Sequence, residues 1–461
     1  MNQTFMKERR ILPLILSMSL PMVISMAVNS LYNIVDSYFV AKISDDAMTA
    51  LSLVFPIQNL VNAIAIGFGV GVNACIAFFL GAERKDAADH SATLGILLSG
   101  IHGVLLTLLC LIIMPFFLRL FTSDPVILDL ALTYSNRVFL FSTAVNIGIC
   151  LEKIFQAVGK MKVSMFSMIC GCVANIILDP FMIFGYGPFP AMGISGAAYA
   201  TGIGQCLTLI IYIVIMILRP IPVRAQLRYL HPDGTLIRRL YQVGVPATLN
   251  TALPSVQVSV LNQILTAFSA QYVLILGIYY KLQTFIYLTA NGMVQGIRPL
   301  VGYNAGAGEP KRVEKIFTTS MLLIMGIMLV GTILSWLFPL QIFGLFAKDP
   351  AAIKIGGHAL QIISLGFIVS GISVTCSGVL EGLGRGGSSL LISLSRYIIV
   401  MLPMAFLLSR FLKTDGVWYA FVVTEFLTAG LSLLIWKKTR SVLYSRERKE
   451  NEDKVERKES L

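Results

Sequence analysis

Apolar stretches long enough to cross a bilayer alternate with short polar connections along nearly the whole chain. The first, Ile11 to Val40, is about 30 residues, or roughly 45 Å of helix at 1.5 Å per residue, longer than the ~30 Å hydrocarbon core. Others follow at about Leu51–Leu80, Ser91–Leu118, Val126–Val158, Val163–Phe184 and Ile194–Leu218, before the long basic connection that begins at Arg219. Six more come after it, with breaks near Ser269, at Gly306–Lys315, near Pro339, after Leu383 and at Arg410–Gly416. The pattern predicts an all-α polytopic membrane protein with twelve transmembrane helices.

The two halves repeat. A shift of 225 carries Pro21 to Pro246, Gly67 to Gly292, Gly71 to Gly296, Gly81 to Gly306 and Gly159 to Gly384. After a slip of two, Gly193 meets Gly416 and Thr201 meets Thr424. Recurrence at one offset predicts two six-helix lobes, related by a pseudo-two-fold axis along the membrane normal. The expected boundaries are a first lobe over 1–218, a linker over 219–240, a second lobe over 241–436 and a charged tail over 437–461. The tail alternates acids and bases without apolar periodicity and is expected to be disordered or a solvated helix.

Composition agrees: 56% of the residues are hydrophobic, only 13% are charged, and mean hydropathy is +0.79. The net charge of +12 lies in loops and tail rather than on one folded face, so no nucleic-acid partner is expected. The basic residues fall mostly in alternate connections and the tail, which predicts both termini in the cytoplasm; the plasma membrane is the expected location. The seven cysteines lie within apolar segments, without metal-ligand spacing.

So apolar a background makes each ionisable residue conspicuous. Asp36 lies near the far end of the first stretch, and reading back at helical spacing gives Asn33, Tyr32, Asn29 and Ser25, one polar stripe. A carboxylate there must face protein or water rather than lipid. It is either a satisfied structural group or a cation or proton site on a helix that Pro21 lets bend. Asp179 follows Asn175 by four residues, on the same helical face. With Thr201, Asp36, Asp179 and Asn175 offer the several oxygens that Na+ would require, or the two carboxylates share a proton. Glu152 is a further acid; its neighbour Lys153 points about 100° away, so the two need not pair, and an ion pair with another helix is the alternative to a site role. The repeat places Leu261, Ser377 and a position near Leu402 opposite Asp36, Glu152 and Asp179, so the acidic cluster belongs to one lobe. Met18, Met22 and Met26 recur every four residues, as suits a pliable apolar cavity.

Several stretches together resemble the multidrug and toxic compound extrusion (MATE) transporters: NIVDSYFVAKIS, QAVGK, ANIILDP, GISGAAYAT and NAGAGEPKR. The likeness runs from about Ile11 to Lys437 and is greatest to the bacterial drug-exporting branches. It implies a two-lobed antiporter that exports amphipathic, often cationic drugs or metabolites in exchange for Na+ or H+. It further implies a coupling network of Asp36, Tyr134, Glu152, Asn175, Asp179 and Thr201, beside a substrate cavity at Asn29, Tyr32, Asn33, Met22 and Met26. Relatives commonly have Asn where Glu152 stands, and the second-lobe acids of some branches are replaced by Pro254 and Ser370. The partners expected are small amphipathic molecules and the lipid bilayer, with a monomeric protein, no resident metal and no cofactor besides the coupling ion. A flippase of lipid-linked precursors is the alternative, but it calls for several cavity arginines, and the first lobe offers mainly Arg137. An enzyme is disfavoured because His90, His102, His231 and His358 show no metal or acid–base spacing.

Overall fold

A computed structural model describes residues 4–187 and 189–459, with side chains to 445. In chain order the helices are α1 (Phe5–Glu8), α2 (Ile11–Ala41), α3 (Asp45–Gly81), α4 (Lys85–Arg119), α5 (Pro125–Val138), α6 (Ser142–Ala157), α7 (Met161–Phe184) and α8 (Ile194–Leu218). Then come α9 (Gly234–Thr266), α10 (Ala270–Gly306), α11 (Pro310–Leu337), α12 (Pro339–Gly344), α13 (Pro350–Ser364), α14 (Phe367–Gly382), α15 (Gly386–Leu394), α16 (Met401–Leu412) and α17 (Thr414–Glu459).

Among the described residues, ten helical spans are long and apolar enough to cross a membrane. The pair α13–α14, bent by 55°, raises this to as many as eleven. The protein is therefore an all-α, multi-pass membrane protein. The stretch that stands apart is α9. It has 33 residues, but Arg238, Arg239, Asn250, Gln257, Asn262 and Gln263 dilute its apolar character. Two stretches that read as continuous spans are broken: a 3-10 turn, Phe139–Phe141, separates α5 from α6, and a π-helical turn, Ser395–Ile399, separates α15 from α16. The expected tail is partly a continuation of α17, which stays helical to Glu459; the side chains of 446–461 lie outside the described residues.

The repeat in the sequence has local structural counterparts. Asp124 caps α5 by accepting from the amides of Val126 (2.8 Å) and Ile127 (3.3 Å), with Pro125 as the first helical residue. Asp349 caps α13 in the same way, accepting from Ala351 (3.2 Å) and Ala352 (3.1 Å), with Pro350 first. Gly159 and Gly384 each turn the chain with φ at 75°, a conformation other residues adopt only at a cost.

The chain packs as two compact units. One comprises Ile24–Ile76 and Arg84–Thr248; the other takes the chain before Ile24, Ala77–Glu83 and the chain from Leu249 onward. Within the first, the start of α9 lies so close to α3 that a Cβ on Gly67 would collide with Thr248. Within the second, a Cβ on Gly292 of α10 would collide with Val23 of α2 in the same manner. Residues that face away from these contacts are apolar: on α4, Leu97, Ile101, Val104, Leu105, Leu108, Ile112 and Phe116 are all exposed, as a lipid-facing surface requires.

Candidate functional site

The first unit gathers a polar cluster from four helices. Asp36 comes from α2, Tyr134 from α5, Asn175 and Asp179 from α7, and Thr201 from α8. All are buried, Asp179 completely and Asp36 to within 8%. The i, i+4 spacing on α7 sets Asn175 beside Asp179, and its Nδ2 lies 3.4 Å from both Asp179 Oδ1 and Thr201 Oγ1. Tyr32, one turn before Asp36, reaches Thr201 with its hydroxyl, and Tyr134 reaches Gln58. Asp179 lies in the field of Asp36, and Tyr134 lies in the field of both.

Three acceptors in this cluster have no hydrogen-bond donor: Asp36 Oδ1, Asp179 Oδ2 and Asn175 Oδ1. Buried oxygens ordinarily find a donor, because leaving one unpaired costs about 1–3 kcal/mol. Two carboxylates and an amide oxygen, with the Thr201 hydroxyl beside them, form an oxygen-only set suited to a hard monovalent cation or a shared proton. Among the described residues no group of three or more His, Cys, Asp or Glu side chains could hold a metal ion.

Not every residue picked out in the sequence joins this cluster. Glu152 pairs with Lys153 after all, at 2.9 Å, and also accepts from Gln156 Nε2 at 2.6 Å, while Lys153 Nζ donates to Gln156 Oε1 at 3.1 Å. The flexible lysine stem curls back, which the 100° step between neighbouring residues does not prevent. Glu152 lies on α6, beyond the 3-10 turn that ends the helix carrying Tyr134. The stripe on α2 is uneven: Ser25 is buried, Asn29 and Tyr32 are half-buried, and Asn33 is exposed, its Nδ2 donating to Asn29 O and Oδ1 at 2.8 Å. Met22 is buried and Met26 half-buried, and Pro21 lies inside an otherwise continuous α2. Gln58 escaped notice in the sequence because amides are common in polar helix faces and nothing in its spacing ties it to Tyr134.

The second unit carries ion pairs of its own. Arg298 meets Glu381 at 2.6 Å, and Glu381 also accepts from Asn250 (2.9 Å) and Ser389 (3.1 Å). Arg396 meets Glu425 at 2.6 Å.

Similarity to known proteins is extensive. The MatE family model matches residues 21–181 and again 246–407, once in each half of the chain. A multidrug export protein, MepA, of Staphylococcus saprophyticus is 25% identical over 418 residues, covering 90% of this chain and 91% of its own. A MATE structure solved in a bent conformation superposes with a TM-score of 0.91 at 24% identity, covering 97% of this chain and 99% of its own. A MATE structure solved in a straight conformation gives 0.90 at 24%, covering 96% of this chain and 99% of its own. With two matches that together span more than half of its length, on an all-α multi-pass fold, the chain belongs to the MatE family and is a secondary transporter that exports small molecules.

Proposed function

We propose that this protein is an antiporter that expels amphipathic, often cationic drugs or metabolites across the plasma membrane in exchange for Na+ or H+. The observation that carries the reading is the trio of donor-less buried oxygens on Asp36, Asp179 and Asn175. Asp36 and Asp179 bind the coupling ion, with Asn175 and Thr201 as neutral ligands and Tyr32 and Tyr134 closing the site. Glu152, engaged by Lys153 and Gln156, stands outside it. Asn29, Asn33, Met22 and Met26 on α2 line the substrate's path, and Pro21 is the hinge on which α2 bends. The relative named as a multidrug export protein supports the substrate class, and the proline inside α2 supports the hinge.

The architecture that goes with this reading has twelve spans, α9 being the twelfth. They form two six-helix lobes over 1–218 and 241–436, joined by the cytoplasmic linker 219–240, with both termini in the cytoplasm and a monomer as the working unit. The linker is well tethered for that role. Asp89 on α4 accepts from the Arg224 amide at 2.8 Å and from Gln226 Nε2 at 3.1 Å.

The test is efflux of a fluorescent organic cation from proteoliposomes, with Na+ and pH gradients imposed separately. One gradient alone should drive export, and Asp36→Asn should abolish it. Export that needs neither gradient would overturn the antiport reading.

A further inference from the structure

The second unit contains a pocket that is the repeat's counterpart of the ion site. It is a cavity of about 10 Å³, the room of one water molecule, lined by Gln257, Gln283, Arg396, Thr424 and Glu425 among others. The shift of 225 carries Tyr32 to Gln257 and Gln58 to Gln283, and after the slip of two Thr201 meets Thr424. The slipped register also carries Pro180 to Pro403, so the stretch containing Arg396 takes the place of α7. Three residues of the first cluster thus have their mates around one pocket of the second. The acids have none: Leu261 and Leu402 stand opposite Asp36 and Asp179, and Ala359 opposite Tyr134.

What this pocket holds instead is a fixed cation. Arg396, in the π-helical turn Ser395–Ile399, donates from Nε and Nη2 to Glu425 Oε1 at 2.8 and 2.6 Å, and from Nη2 to the Tyr287 hydroxyl at 3.0 Å. Its guanidinium also lies against the rings of Tyr287 and Tyr397, whose centroids are 5.2 and 5.6 Å from Cζ. Glu425 has a further partner in the Ser373 hydroxyl. Both members of the pair are buried. Among the described residues Asp36 and Asp179 form no ion pair at all. The repeat does not supply the pair, since Glu425 falls on Gly202 and Arg396 on Gly171 or Val173. Stability alone gives no reason for it, because well-packed apolar side chains serve a buried site as well or better. A carboxylate so placed is already neutralised. A second cation brought to it would meet the repulsion of Arg396 at close range, where charge is poorly screened. The carboxylates of the first unit must take their neutralising charge from solution.

We propose that Arg396 is a tethered substitute for the coupling ion. Its guanidinium fills, in the second unit, the site that Na+ or H+ fills in the first, so the transporter binds a single coupling ion and only the first unit responds to it. The proposal rests on the assignment of the ion site to Asp36 and Asp179. It adds a latent cation site in the second unit, made by the Glu425 carboxylate with the side-chain oxygens of Gln257, Gln283 and Thr424. Removing the guanidinium opens that site to a small cation or a proton.

The experiment counts ions on the full chain in nanodiscs, as radioactive Na+ bound at saturation and as H+ taken up across the neutral range. The wild type should show one ion per protein that is lost in Asp36→Asn. Arg396→Met keeps Glu425 and empties the space of the guanidinium, and it should bind one ion more than the wild type. Adding Asp36→Asn to Arg396→Met should leave that extra ion in place. Arg396→Met/Glu425→Leu should return to the wild-type count, with gradient-driven export within about twofold of wild type, since apolar replacement of a buried pair preserves folding. A wild type with two ions, only one of them lost in Asp36→Asn, overturns the proposal, as does an Arg396→Met protein that binds no more than the wild type. Should Arg396→Met alone fail to fold, the double variant decides: an unchanged ion count upholds the proposal, and loss of the ion overturns it. The assignment of the ion site fails differently, through a wild-type ion that Asp36→Asn leaves bound.

Discussion

Asn175 Nδ2 stands 3.4 Å from Asp179 Oδ1 and 3.4 Å from Thr201 Oγ1, so one amide spans α7 and α8 at the centre of the buried carboxylate cluster. Both contacts are long for N–H···O hydrogen bonds, whose usual range ends near 3.2 Å. An ion on the free oxygens of Asp179 and Asn175 would draw the three side chains together. Asp179→Asn removes a charge but keeps the shape. It should reduce ion-driven export by at least about tenfold, the effect of losing one charged ligand worth more than about 1.4 kcal/mol. Folding, followed by thermal unfolding in detergent, should change little. A variant that exports normally under the same gradient would remove Asp179 from the site.

Glu152 should behave differently although it too is a buried acid. Its partner Lys153 is almost fully enclosed, and Gln156 completes the knot. Glu152→Gln removes the carboxylate charge 2.9 Å from the buried ammonium, and breaking such a pair typically costs about 3 kcal/mol. The expected outcome is a lower unfolding temperature with the ion dependence of export retained. A stable variant that has lost its ion dependence would instead place Glu152 in the coupling site.

The capping residues provide a test of the internal repeat. Asp124→Ala and Asp349→Ala remove corresponding caps, each bonded to two amides at the start of α5 and α13, and Asp349 also accepts from Gln271 Nε2 at 3.3 Å. Each should cost about 1 kcal/mol and the two losses should add, because the sites share no partner. Chemical unfolding of the single and double variants measures this directly. A loss near zero at either position, or strongly non-additive losses, would show that the two caps do not do the same job.

What could be read from the sequence follows from how rare polar residues are in it. Asp36 and Asp179 stood out because an apolar span leaves a carboxylate few reasons to be there, and Asn175 because i, i+4 spacing is a property of any helix. The Arg396–Glu425 pair could not be read in this way. Its members are 29 residues apart on different elements, and the π-helical turn shifts the register that would have aimed Arg396. The breaks at Phe139–Phe141 and at α13–α14 were equally hidden, since no proline marks either and apolar composition runs straight through them. Lys153 misled for a different reason: backbone direction constrains a short side chain, not a long one that folds back on its neighbour.

The last prediction concerns Pro21. On α2 it lies 15 residues before Asp36, and its missing N–H leaves the carbonyl four residues earlier without a helical donor. That weakness lets α2 bend at modest cost, whereas Pro21→Ala restores the bond and favours the straight form. In the proposed cycle, binding of the ion neutralises Asp36 and Asp179 and removes the repulsion between them. The segment of α2 that carries Asp36 then closes toward α7, which removes both the negative charge that attracts a cationic substrate and part of its space. Ion and substrate therefore compete through one charge cluster, and linkage makes the competition reciprocal. Saturating substrate should weaken the ion by the same factor that saturating ion weakens the substrate. Pro21→Ala should leave each ligand's binding measurable alone and shrink that factor, because the bent state is less populated. Equilibrium titrations of each ligand, with and without the other, yield the factor for both proteins in nanodiscs. If the wild type and Pro21→Ala gave equal factors, the two ligands would be communicating by charge alone, without the bend.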